Sequence, residues 1–574
     1  MTDEILGIDL GTTNSEVALY RNGRPEMLGD EIGRVILPSV VGVSETGILL
    51  IGEEARNQFL LYPERTIRSI KRRMGTADKV PLGNAEYTPQ EISAMILSRL
   101  KDIAWRALGR SVTKAVITVP AYFSDAQRQA TREAGEIAGL DVVRIINEPT
   151  AAALVYEAAH QQGKRILVYD LGGGTFDVSV VRIEDGVVEV IASHGNNHLG
   201  GDDFDHKIVE HVLEYLRLKH GVDISGQPRA MARVTRAAET AKKQLSDHPF
   251  ARIQEEYLTE REGAPVNLEL ELARSDYETM IAPFIEETLG AIHTALESAS
   301  LTVSEIEEIL LVGGATRTPM IRRRLMEVFG RAPRGEVDPD LCVALGAAIQ
   351  GAAIAGAEVS AVLVDVTPYT FGTSALGELH GDIYPYCYIP IIPRNTPIPV
   401  RRSEAFFTVR DEQTEVDVKI FQGEHEDALE NIQLGEFRVS GLSKAPAGNP
   451  VILDLALDRD GILHVSAREK ATGLERRITI DKALSRYDQA ELDEARARIG
   501  ALFEDQPEAE VASDSALEAL LAKAGAKLDE AAPEDRMEII DLIEMIQDAK
   551  GSGDEAALQT ARQQLEDMLF YLET

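Results

Sequence analysis

Cysteines, long apolar runs and cationic residues are all scarce in this chain, and each scarcity removes a class of protein. Cys342 and Cys387 are its only cysteines, too few for a disulfide framework or a four-ligand zinc site, so a reducing compartment is expected. The most membrane-like run, "VALGAAIQGAAIAGA" from 343 to 357, is interrupted by Gln350 and by glycines. It falls short of the ~20 residues that a spanning helix needs and reads as a buried helix of small residues. No basic, apolar leader opens the sequence, and a cytoplasmic location is expected. Lys and Arg total 59 against 95 Asp and Glu, and the formal charge of -36 repels nucleic-acid phosphates and anionic membranes. Two nucleotide signatures are missing as well: there is no G-x-x-x-x-G-K-[ST], and no G-x-G-x-x-G follows a strand, which excludes P-loop and dinucleotide-binding readings. Aromatics make up only 5%, yet 44% of residues are hydrophobic, so the chain folds.

At 574 residues it needs several domains. Residues 1–358 alternate Val/Ile/Leu runs such as "AVITV" and "RILVY" with long helical patterns, the grammar of a sheet flanked by helices. Residues 367–484 turn to period-two strands, as in "EVDVKIFQGE", and predict an antiparallel sandwich. Between them, 359–366 contains "AVLVD", apolar where a linker is ordinarily polar; pattern alone makes it an edge strand of either neighbour. Residues 485–574 are helical, with Ile539, Ile540, Ile543 and Ile546 at helical spacing.

What the chain does contain is a repeated hairpin. "IDLGTTNS" at 8–15 and "DLGGGTFD" at 170–177 each end a buried strand in Asp-Leu-Gly, place Thr in a tight loop and start a second strand. Glycine lets backbone N–H groups approach an anion, and Thr hydroxyls add donors, so two such hairpins can cradle a phosphate chain. Asp9 or Asp170 at the loop mouth would repel phosphate unless a divalent cation lay between them, which points to Mg2+ held largely through water. A further pair, Gly313-Gly314, follows the strand "EILLV", and Pro319 then suits the first turn of a helix. Glu239, Lys242 and Ser246 fall on one helix face, where spacing alone describes a solvated salt-bridged surface. By the same standard Lys71 is an ordinary surface lysine.

Taken with "VITVPAYFSDAQRQAT", "RIINEPTAAAL", "LGGDDFD", "LVGGATRTP", "DVTP", "RNTPIPV", "FQGE" and "GILHVSA", the hairpins make the chain resemble the DnaK family of 70-kDa heat-shock chaperones over essentially its whole length. The resemblance implies an actin-like (ribonuclease-H-like) α/β ATPase domain, an antiparallel β-sandwich that binds peptides, and an all-α lid. It implies ATP/ADP and Mg2+ as ligands, with K+ admitted, and a slow hydrolysis of ATP. Asp9 and Asp170 would flank the Mg2+, while Gly11, Thr12, Thr13, Gly172, Gly173, Gly174 and Thr175 hold phosphates. Lys71 would orient the attacking water, assisted by Glu148 and Thr175. Gly200 and Gly201 match the phosphate and ribose loop of the second lobe, and Glu239, Lys242, Ser246, Gly314, Arg317 and Asp340 the adenosine clamp, with Gly313 also among the nucleotide-binding residues. Pro120, Arg128 and Asp365 match the interdomain coupling residues, and Arg144, Asn147 and Thr150 the patch for a J-domain co-chaperone. Phe371, Leu376, Phe406, Val409, Val416, Val418 and Ile462 match the groove that takes extended apolar segments of unfolded clients.

The chain also departs from the family. Only twelve residues, 76–87, separate Gly75 from the helix opening at "TPQEIS", which trims the lobe that an exchange factor grips. Thr373 replaces an aliphatic groove residue, "GELHGDIYPYCYIPII" makes a long tyrosine-rich loop, and the lid spans only 90 residues. These features resemble the specialised bacterial HscC-like branch. The rival reading, an actin-fold small-molecule phosphotransferase, accounts for the hairpins but leaves everything after Val366 without a purpose.

Overall fold

Two mixed sheets of one design organise the first 366 residues in the computed structural model. In the first, Leu6–Leu10 runs antiparallel to Asn14–Arg21, with Asp9 opposite Glu16, and parallel to Lys114–Val119. In the second, Lys164–Leu171 runs antiparallel to Phe176–Glu184, with Asp170 opposite Asp177, and parallel to Glu308–Val312. Both sheets therefore end a buried central strand in an aspartate at the same point of the same turn. The structure describes residues 4–160, 164–184, 186–334, 338–357, 359, 362–479, 487 and 489–504, and positions 517–569 in part.

Two helices, Glu148–His160 and Cys342–Ile354, are flanked by the sheets. They are rich in Ala and Gly because backbones meet there: a Cβ on Gly7 would lie 2.1 Å from the Ala348 nitrogen, and one on Gly346 would lie 1.9 Å from the Ala151 carbonyl oxygen. The expected small-residue helix is thus buried between strands. The segment 76–87 is not an empty gap, since it folds into a hairpin of Val80–Leu82 and Ala85–Tyr87. A capping box between Thr88 and Glu91 then starts the helix Pro89–Leu108.

The apolar linker corrects the edge-strand expectation. Val362–Val366 adds in parallel to Val187–Asn196, pairing Val362 with Val187, and on its other side Asp365 pairs with Ile398. It is an interior strand shared by both neighbours, which explains why its side chains are apolar. Residues 358, 360 and 361 lie outside the described residues.

Beyond it, two antiparallel four-stranded sheets pack around Phe371, Ile392, Ile420, Val439, Leu455, Leu463 and Val465. Glu469 is wholly buried among them, accepting hydrogen bonds from Ser443 N (3.0 Å), Asn449 Nδ2 (2.5 Å) and the hydroxyls of Ser443 and Thr472. Burial would raise its pKa, but those donors outweigh burial and hold the carboxyl at about 2, below the ordinary 4.5. Its stabilisation is therefore full above pH about 4.5 and is lost as pH falls towards about 2. Glu469→Gln should cost roughly 1–3 kcal/mol near neutral pH by leaving buried donors unmatched. Thermal unfolding followed against pH should show the variant melting below wild type at pH 7, with the difference shrinking below about 4.5.

Contacts divide the chain into two compact units, 1–29 with 35–500 and 30–34 with 501–574. The second contains the helix Pro533–Ser552 and a core of Leu517, Ala524, Ile539, Leu542, Ile546, Ala561, Leu565 and Leu569. Ile539 and Ile546 are buried and Ile540 is exposed, as helical spacing requires. The expected lid start at Ser485 lies outside the described residues.

Candidate functional site

The two hairpins face each other across a cleft of about 590 Å³, ample for a nucleotide. Glycine is obligatory where they touch: a Cβ on Gly173 would lie 1.8 Å from the Thr13 hydroxyl oxygen, and one on Gly200 would lie 2.4 Å from the Gly173 carbonyl. Asp9, Gly11, Thr12, Thr13, Asp170, Gly172, Gly173, Thr175 and Gly201 line this end. Gly174 and Gly200 stand behind the wall, Gly174 against Thr12 and Arg72. Glu239, Lys242, Ser246, Gly313, Gly314, Arg317 and Asp340 line the other end, so the face expected from spacing to be solvated is a cleft wall.

Lys71 is equally far from an ordinary surface lysine, being only 4% exposed, with Nζ 2.5 Å from Glu148 Oε1. Burial pulls its pKa down, but Glu148, Asp9 and Asp170 outweigh burial and hold the ammonium above its ordinary value. The pKa values of Asp9, Asp170, Asp177 and Glu16 are raised as well, which for a carboxyl favours the neutral form. Asp9 is raised to about 7, by burial and then by the charge of Glu148, against the pull of Lys71 and a 2.9 Å hydrogen bond from Thr118. Asp177 reaches about 7 through burial and Glu148, and Asp170 and Glu16 are raised by burial and by nearby carboxylates. One buried ammonium thus faces Asp9, Glu16, Glu148, Asp170 and Asp177, an excess of negative charge that a cation would relieve. Asp170 Oδ2 is buried and accepts no hydrogen bond from the protein. Among the described residues, no three His, Cys, Asp or Glu side chains converge as a metal cage. That donor set fits a Mg2+ held mainly through its waters.

At the far end Lys242 bonds Asp205 (2.8 Å) and the Gly201 carbonyl (2.9 Å), and Arg317 bonds Asp340 (2.7 Å) and Asp338 (3.0 Å). Glu239 pairs with Lys243 (2.6 Å) and, across the cleft, with Arg68 (3.4 Å). The sequence reading missed Asp202, Asp205 and Lys243, which all line the cleft, and Asp177. The duplicated hairpin was the available signal for Asp177, since it stands opposite Asp170 in the strand register.

A second constellation lies below the cleft. Asp177 accepts the backbone N–H groups of Ala121 (3.2 Å) and Tyr122 (3.0 Å), next to Pro120. Arg128 donates to the Ala121 carbonyl (3.0 Å) and to Asn147 Oδ1 (2.6 Å), and Asn147 Nδ2 donates to Asp365 (2.7 Å), as does Thr150 (3.3 Å). Arg144 and Arg132 both reach Asp460 of the sandwich, at 3.4 and 2.5 Å. Residues expected to receive a co-chaperone, Arg144, Asn147 and Thr150, are therefore engaged by the chain's own linker and sandwich. Tyr369 packs on Tyr122 with ring centroids 4.7 Å apart and donates to its carbonyl at 2.7 Å.

Six of the seven groove residues fall into three pairs. Phe371 and Val418 belong to the sandwich core, Phe406 and Val416 pack at its margin, and Leu376 and Val409 are 57% and 59% exposed. Strand Phe371–Leu379 keeps register with Glu415–Gln422 only from Phe371 to Thr373, so Leu376 stands where the two strands have parted. The Thr373 hydroxyl is spent on the Lys419 carbonyl (2.7 Å). Ile462 is a correction: it lies in the turn after Pro450–Leu457, beside Asp460, where Leu457 pairs with Val400. Phe406 instead pairs with Val451, six strand positions away, roughly 20 Å at ~3.3 Å per residue. Val451 is the residue of that strand at the Phe406 end.

No helix among the described residues is long and apolar enough to cross a membrane. The model of a family described as "Hsp70 protein" matches residues 5–572. Among curated proteins, the chain is 49% identical to the "Chaperone protein DnaK" of Thermotoga neapolitana over 486 residues, 83% of this chain and 80% of that one. It is likewise 49% identical to the proteins of the same name from Thermotoga maritima, over 485 residues and the same shares, and Thermosipho melanesiensis, over 484 residues and the same shares.

Proposed function

The chain belongs to the Hsp70 family of chaperones, and from that premise we propose that it is a cytoplasmic ATPase whose slow hydrolysis governs the capture and release of extended apolar segments of unfolded polypeptides, with help from a J-domain protein. The observation that carries this reading is a continuous hydrogen-bonded path. Thr175 of the phosphate hairpin lies two residues before Asp177, Asp177 holds the Ala121–Tyr122 backbone, Arg128 joins that backbone to Asn147, and Asn147 holds Asp365 of the linker strand. A phosphotransferase would have no use for such a path, nor for the sandwich at its end.

In the cleft, the chain's own part of the chemistry is positioning and charge. The hairpin N–H groups and the hydroxyls of Thr12, Thr13 and Thr175 receive the phosphate oxygens. Bound Mg2+ would neutralise charge on the β- and γ-phosphates, with Asp9 and Asp170 as the carboxylates that hold its waters. Lys71, fixed by Glu148, presents a permanent positive charge towards the γ-phosphate, where water attacks phosphorus as the bond to the ADP oxygen breaks. The exposed Leu376 and Val409 and the parted strands beside them suit an extended client that offers apolar side chains and main-chain hydrogen bonds.

Steady-state release of phosphate tests the assignment. Slow basal turnover should rise severalfold when a reduced, unfolded polypeptide is added. Rapid transfer of the γ-phosphate to a small hydroxylated metabolite would overturn it.

A further inference from the structure

Ser69 stands two residues before Lys71 with φ +53°, a left-handed conformation that a non-glycine residue keeps only where its surroundings hold it. It opens the short 3-10 turn Ile70–Arg73 that carries Lys71, yet its hydroxyl does not cap that turn. The hydroxyl instead donates across the cleft to Asp202 Oδ2 at 2.6 Å. Asp202 is a junction: its N–H donates to the Gly173 carbonyl at 2.8 Å, and its other oxygen lies 3.5 Å from the Thr13 hydroxyl. One carboxylate thus touches the turn of Lys71 and both phosphate hairpins. The next residue, Asp203, pairs with Arg72 at 2.5 Å and tethers the far side of the same turn.

These contacts split the support of Lys71 between the two lobes. Its ammonium is fixed by Glu148 of its own lobe, while the turn beneath it is fixed to the helix Gly201–Tyr215 of the opposite lobe. Opening the cleft would break the Ser69 bond first in the sense that matters for chemistry, because the turn would lose its reference to the phosphate hairpins. We propose that Ser69 is a positioning residue for ATP hydrolysis: through Asp202 it sets Lys71 against the γ-phosphate only when the lobes are closed on the nucleotide. The proposal rests on the ATPase reading above and makes cleft closure itself a condition of turnover.

Single-turnover hydrolysis of pre-bound ATP, measured together with ATP affinity, tests it. Ser69→Ala should slow the chemical step about 10- to 100-fold, the scale of a misplacement near 1 Å, with ATP affinity held within about threefold. Ser69→Gly removes the hydroxyl but relaxes the left-handed backbone, and it should be as slow as Ser69→Ala. Ser69→Asn tolerates that backbone and supplies an amide donor, and it should recover most of the rate. The double variant Ser69→Ala/Asp202→Ala should be no slower than Asp202→Ala alone. Wild-type rate in Ser69→Ala or Ser69→Gly, or additive losses in the double variant, would overturn the proposal while leaving the ATPase reading intact. Absence of turnover in wild type would overturn the ATPase reading and the proposal that rests on it.

Discussion

Lys71→Ala should lower kcat for ATP hydrolysis by roughly 10²–10³-fold, about 2.7–4 kcal/mol of transition-state stabilisation, while ADP still binds. The expectation follows from the burial of this ammonium and from its neighbours. Lys71 is 4% exposed and faces Asp9, Asp170 and Glu148, while the neighbouring cations Arg72 and Lys242 are engaged by Asp203 and Asp205. Removing it also takes the counter-charge from Asp9 and Asp170, whose already raised pKa values should rise further. Proton uptake on adding the substitution, read by the pH dependence of nucleotide binding, should therefore accompany the loss of turnover. Rapid-quench turnover and ADP binding by calorimetry separate the two effects. A variant that hydrolyses ATP within about tenfold of wild type would contradict the role given to Lys71.

Asp365→Ala should leave hydrolysis within about threefold of wild type and reduce the acceleration of peptide release by ATP, a coupling expected in the range of about 5- to 150-fold, to less than about twofold. Asp365 is where the linker strand is held, by Asn147 at 2.7 Å and Thr150 at 3.3 Å, and it faces the buried Arg128. Burial raises its pKa, and the Val366 N–H, the Arg128 charge and those two donors draw it back. Without the carboxylate, Arg128 and Asn147 lose the group that joins them to the linker, and the strand pairing of Val362–Val366 loses its anchor. Basal hydrolysis should be kept because Asp365, Asn147, Thr150 and Arg128 do not line the cleft. Equal losses of turnover and of release would mean that Asp365 acts on folding rather than on coupling.

Local chemistry was what the sequence made readable. Asp9, Thr12, Gly172 and Thr175 could be read from the two hairpins because a strand, an aspartate and a glycine turn are consecutive in the chain. Pro319 marked a helix start for the same reason. Lys71 and Glu239 could not be read that way, since what distinguishes them from surface residues is Glu148 and Arg68, which lie 77 and 171 positions away in sequence. Family resemblance supplied them, but it named neither Asp202 nor Ser69, whose meaning lies in a bond across the cleft. Resemblance placed Ile462 in the groove, and alternation, which carries no register, could not show that it lies at the wrong end of the sheet. The linker shows the converse case. Its apolar pattern was correct for a strand, and only the pairing with Val187–Asn196 and Ile398 shows that two neighbours share it.

The coupling of the cleft to the groove is tested most directly by stopped-flow anisotropy of a fluorescein-labelled extended apolar peptide pre-bound to the full chain with ADP, on mixing with ATP and Mg2+. The account predicts that the peptide leaves at least about fivefold faster with ATP than with ADP, before hydrolysis is complete. An unchanged release rate in a protein that still hydrolyses ATP would contradict it.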